Sequence, residues 1–242
     1  MQPPVEIVFN VLSENSDSSS PPPNTSAIQR AADFWNSAGA DCQVPGIQLK
    51  LLSDAPEPVI ANDNINWIVF RTQQWCADPD RRVCYPPNAQ AMTTLYRDPT
   101  SRTIIGADIE LNAVDFAWTP TGADFDPRRK NQRSIERSLA HEFGHVLGLE
   151  HPCLGEEVPG NPLPKCKTLN AADRGIMYPD DTGIADPPRL SAEEKEQLCS
   201  SNPRKPSLDW RYGIGFMIAA GTLIALGKLR KHLGWFKRNA TP

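Results

Sequence analysis

Residues 131–151 read NQRSIERSLAHEFGHVLGLEH. Ile135, Leu139, Phe143, Val146 and Leu147 recur at helical spacing. They predict an amphipathic helix that begins at Asn131 or Ser134 and ends at Leu147, with Gly148 placed to stop it. Three of the chain's four histidines fall within eleven residues of this stretch, as His141-Glu142-Phe143-Gly144-His145-Val146-Leu147-Gly148-Leu149-Glu150-His151. Positions i and i+4 share a helix face, so His141 and His145 can offer imidazole nitrogens to one metal ion. Glu142 stands one residue along, within reach of a metal-activated water without being a ligand itself. A helix continuing past Gly148 would carry His151 away. Gly148 can adopt a positive φ and turn the chain, so that His151 returns as a third ligand. Three protein nitrogens leave the fourth tetrahedral position of a zinc ion to water, which marks a catalytic site rather than a closed structural one.

Outward from this helix, the pattern predicts an α/β (α+β) domain. Residues 5–12, 47–52, 67–71, 91–96 and 102–111 read as strands. In the last of these Ile105, Ala107, Ile109 and Leu111 alternate with polar or small residues, the period of a half-buried strand. A helix capped by Ser26 runs to Ala38, with Ile28, Ala31, Ala32 and Trp35 on one face. Residues 190–199 form a third helix, in which Ser191 and Glu194 make a capping box. The order of strand, helix, several strands, helix, loops and helix predicts a twisted mixed sheet with helices packed on it. This domain covers residues 1–200, followed by a linker over 201–212.

Residues 213–227 (GIGFMIAAGTLIALG) carry no charge. With Tyr212 they reach roughly 24 Å as a helix, against the ~30 Å of a bilayer core. Snorkelling of Lys228 and Arg230, with Trp210 and Trp235 near the interfaces, can close that gap. The segment is expected to be a transmembrane anchor with a basic tail at 228–242, the alternative being a buried terminal helix. The formal net charge is −4, but six of the 25 Lys and Arg follow Asp209, the last acidic residue. Residues 1–209 thus carry 19 basic groups against 29 acidic ones, which argues against nucleic acid as a partner. Nothing in the sequence specifies an oligomeric state.

Six cysteines (Cys42, Cys76, Cys84, Cys153, Cys166 and Cys199) form an even set without the CxxC spacing of a structural zinc site. Cys76 and Cys84 bracket a turn-like stretch, and Cys153 and Cys166 bracket a Gly/Pro-rich loop. Pairing within each bracket leaves Cys42 with Cys199, one of 15 connectivities open to six cysteines. The competing reading is six reduced thiols in a cytosolic protein. Disulfides and a membrane tail both place the domain outside the cytoplasm, although MQPPVEIVFN shows no signal peptide.

The HExxHxxGxxH string resembles the zinc signature of the metzincin metalloproteases, and within them the matrixin group. That resemblance implies a methionine in a tight turn beneath the metal, which Met177 in Gly175-Ile176-Met177-Tyr178-Pro179 supplies 26 residues after His151. Arg189-Leu190-Ser191 with its acidic helix, Gly106–Asn112 with Trp118, and Ala27–Trp35 resemble other matrixin segments. The activity implied is endopeptidase cleavage of a protein or peptide substrate, with Glu142 as general base. By the family's geometry the peptide would lie extended along an edge strand within 91–96. Tyr178 and Pro179, with the residues as far as Pro188, would wall the pocket beyond the cleaved bond. The chain departs from matrixins at Pro152, where they carry Ser, and in lacking the histidines of a second, structural zinc. One zinc is therefore expected, with calcium compatible but no ligands assignable to it. The Cys153–Cys166 loop is an insertion. A membrane-tethered zinc-binding module without turnover is the alternative function.

Overall fold

The computed structural model describes residues 6–13, 25–42, 44–52, 58–78, 83–126, 128–154, 163–170, 174–179 and 187–201. Strand β1 (Glu6–Ser13) leads into helix α1 (Thr25–Ala38), then β2 (Gly46–Leu51) and β3 (Asn66–Arg71). A small hairpin follows, made of β4 (Cys76–Asp78) and β5 (Val83–Cys84), before β6 (Ala91–Arg97) and β7 (Ile104–Asn112). Next come β8 (Ala117–Thr119), β9 (Gln132–Ser134), helix α2 (Ile135–Val146) and helix α3 (Ala192–Ser201). The architecture is the expected mixed α/β one. The elements missed at the sequence level are the short ones, β4, β5, β8 and β9, whose two or three residues are too few to show a period.

The main sheet has the order β2-β1-β3-β7-β6. Its first four strands are parallel, and β6 runs antiparallel to β7 at the edge. Parallel strands need crossover connections, and α1 provides the one between β1 and β2. Its buried stripe of Ala27, Ile28, Ala31, Ala32 and Trp35 lies against α2, and the Trp35 indole donates to the Ala140 carbonyl at 2.6 Å. Phe9 of β1 meets Phe143 of α2 with ring centroids 5.2 Å apart. Ile109, Leu111, Leu139, Leu149, Ile176 and Met177 extend the same core, so it runs from the sheet to the underside of the histidine cluster.

β7 corrects the sequence reading in two places. Ile105, placed in the buried stripe, is 51% exposed, because the register shifts between Tyr96 and Arg97 and takes it out of the alternation. The polar face, expected to meet water, is buried: Asp108, Glu110 and Asn112 are all 0% exposed. Each is satisfied by a group far off in sequence. Asp108 accepts from the backbone of Ala61 and Trp67 and from the Tyr96 hydroxyl, at 3.2, 2.9 and 2.8 Å. Glu110 accepts from Arg71 and from the Tyr85 hydroxyl, both at 2.7 Å. Asn112 donates to the Ala89 carbonyl. These bonds fasten the loops before β3 and β6 over the back of the sheet, leaving its front to the helices.

Three disulfides join Cys42 to Cys199, Cys76 to Cys84 and Cys153 to Cys166. Such bridges belong to an oxidising, extracytoplasmic compartment. Among the described residues no helix is long and apolar enough to cross a membrane; residues 213–227 lie outside them.

Candidate metal centre

Helix α2 opens at Ser134, whose hydroxyl accepts from the Arg137 backbone N–H at 3.2 Å. It closes in a Schellman arrangement: Gly148 N–H bonds to the His145 carbonyl at 3.0 Å and Leu149 N–H to the Gly144 carbonyl at 2.9 Å. That turn requires the φ of +90° found at Gly148. The same turn buries Leu149 and directs the chain so that His151 comes back over the helix end.

His141, His145 and His151 each bring one ligand atom to a common point, all within 4.8 Å of one another. His151 Nε2 lies 2.9 Å from His141 Nε2 and 3.1 Å from His145 Nε2. Two of the rings are oriented by backbone carbonyls. His141 Nδ1 stands 2.8 Å from the Ile176 oxygen, and His145 Nδ1 stands 2.9 Å from the Leu149 oxygen. A carbonyl only accepts, so both Nδ1 atoms carry the proton and both Nε2 atoms present lone pairs. A proton on His151 Nε2 could serve only one of those lone pairs. Burial, with a smaller contribution from neighbouring histidines, lowers the pKa of His141 well below its ordinary value and that of His151 to about 4. With neutral rings, the three Nε2 atoms form a set of facing lone pairs that a cation relieves. Nitrogens held ~2.0–2.1 Å from one tetrahedral ion stand about 3.3 Å apart, so the spacing fits a metal ion such as zinc.

Glu142 is 6% exposed, and its Oε2 accepts from the Thr93 hydroxyl on β6. Burial raises its pKa, while His145 and the Thr93 hydroxyl act in the opposite sense. Met177 lies directly beneath α2. A Cβ on Gly144 would meet its sulfur at 2.2 Å and the Trp35 ring at 3.0 Å, so only glycine lets the turn approach this closely. Glu194 of α3 holds that turn from below: Oε1 accepts from Met177 N–H and Oε2 from Ser191 N–H, both at 2.7 Å. The Glu194 backbone N–H in turn donates to the Ser191 hydroxyl, so the capping box is complete. The turn thus carries the Ile176 carbonyl that orients His141, and α3 fastens the turn.

Tyr178 points away from open space. It is 4% exposed, packs with Cys153 and Cys166, and donates its hydroxyl to the Cys166 carbonyl at 3.1 Å. Pro179 is half-buried. A cavity of about 220 Å³ lies at the start of α2, lined by Thr121, Ser134, Arg137 and Pro188 among others. Among the described residues, Pro187 and Pro188 are the parts of the expected wall that reach it. Among the described residues, β6 leaves one edge of the main sheet unpaired, as an extended partner needs. Thr93, Gly144 and the contact of Glu194 with Met177 escaped the sequence reading. Thr93 alone left a signal there, a hydroxyl where Ala91 and Leu95 are apolar.

No protein-family model matches the chain. No curated protein matches it either. Among solved structures there is a likeness to the crystal structure of metalloproteinase-II from Bacteroides fragilis, at 13% sequence identity and a TM-score of 0.43. It covers 82% of this chain and 53% of that one, so this chain spans about half of that protein's length.

Proposed function

We propose that the chain is a zinc-dependent endopeptidase of matrixin-like type, with His141, His145 and His151 holding one zinc ion and Glu142 acting as general base. The observation that carries this reading is the trio of Nε2 atoms, two of them fixed as lone-pair donors by the Ile176 and Leu149 carbonyls. A carboxylate one residue from the first ligand, and a free strand edge beside it, complete what peptide hydrolysis needs. When bound, zinc supplies acidification of a water and polarisation of the scissile carbonyl. Glu142 takes the proton of the attacking water and hands it to the leaving amine. The edge of β6 binds the peptide extended and excludes other alignments by backbone pairing. Residues 1–200 form the catalytic unit in this reading, and 213–227 anchor it to a membrane with 201–212 as linker.

Glu142→Ala tests the assignment. The variant is expected to keep one zinc per chain by metal analysis and an unchanged circular dichroism spectrum. Its cleavage of a peptide library should fall by about 10²- to 10⁴-fold. Cleavage at the wild-type rate, or a wild-type protein without zinc, removes the proposal.

A further inference from the structure

Alternation along β6 puts Ala91, Thr93 and Leu95 on one side, and Ala91 and Leu95 pack against the hydrophobic core that includes α2. Thr93 stands between them and donates its hydroxyl to Glu142 Oε2. Among the described residues, Glu142 Oε1 has no hydrogen-bond partner. Ser138, one turn earlier on α2, gives no help, since its buried hydroxyl has no hydrogen-bond partner among the described residues. The two oxygens of Glu142 are therefore unequal: one is held by a charge-assisted bond and the other is free.

We propose that Thr93 is a positioning residue, which fixes the Glu142 carboxylate by one oxygen so that the other faces the attacking water. The inference rests on the reading of Glu142 as general base. A glutamate has three rotatable torsions, and a base acts only within about 2.6–3.2 Å of the proton it takes. An aliphatic residue at 93 would complete the stripe begun by Ala91 and Leu95 but leave the buried carboxylate with no donor. The strand whose edge receives the peptide is also the one that aims the base, so substrate and base share a single frame of reference.

The test compares Thr93→Val and Thr93→Ala, which lose the hydroxyl, with Thr93→Ser, which keeps it, in the zinc-loaded full chain. With a fluorogenic peptide chosen from a library, the first two should lower kcat by about 10- to 100-fold, with KM within about twofold and one zinc per chain retained. Thr93→Ser should restore most of the loss. A serine variant as impaired as the valine one, or valine and alanine variants as active as wild type, overturns the inference and leaves Glu142 as base intact. A wild-type chain that cleaves nothing overturns both. A second readout needs no turnover. In zinc-free protein, Thr93→Val and Glu142→Ala should be non-additive by at least about threefold in the unfolding equilibrium constant. Additive effects would show that the two side chains do not hold one another.

Discussion

At the scale of single residues, two glycines carry much of the site. Gly148 has open space around it, since no atom lies within 4 Å of where its Cβ would be, so its role is conformational. Gly148→Ala places a side chain at a φ of +90° and should cost about 1–2 kcal/mol in urea denaturation. Zinc affinity, read by chelator competition, should fall as well, because the same turn sets His151 and the Leu149 carbonyl. Gly144 is the opposite case, an ordinary helical position filled from outside by Met177 and Trp35. Gly144→Ala should destabilise by about 1–3 kcal/mol, through overpacking of a core with no slack. Gly148 could be read from the sequence because a helix stop is a local event. Gly144 could not, because the residue it must admit lies 33 positions later in the chain.

Among elements, α3 reaches the candidate metal centre through Glu194. Glu194→Ala would strand the N–H groups of Met177 and Ser191, at about 1–3 kcal/mol for each buried donor left unsatisfied. Thermal unfolding should register the loss, and zinc affinity should drop with it as the Met177 turn slackens. In β7, burial pushes the Asp108 carboxyl up to about 6, against the opposing pull of its three donors, led by Tyr96. The folded protein then holds this proton to higher pH than the unfolded chain does. The contribution of Asp108 to stability is therefore greatest below pH 4 and is lost as pH rises through about 6. In zinc-free protein, the difference in unfolding free energy between wild type and Asp108→Asn should change across that window and level off above it. Alternation showed that β7 is a strand, but not that both its faces are covered, since its covering groups come from around Ala61, Tyr85 and Ala89.

Across the whole molecule, the Cys42–Cys199 bridge spans 157 residues and ties α3 to the end of α1. Constraint of so long a loop in the unfolded chain is worth about 5 kcal/mol in the chain-entropy picture. The Cys42→Ser, Cys199→Ser double variant should lower the denaturation midpoint far more than loss of the Cys76–Cys84 bridge, which spans 8 residues. Legible in the sequence were the helix that carries His141 and His145, its stop at Gly148, the return of a third histidine, and the order of the longer strands and helices. All of these follow from periodicity and from backbone preferences within a few residues. The rest came only with the fold: that Thr93 holds Glu142, that Glu194 supports the turn beneath the histidine cluster, and that Asp108, Glu110 and Asn112 lie buried. Each of these depends on groups distant in sequence that packing brings together, and a polar side chain shows its partner only once that packing is in place.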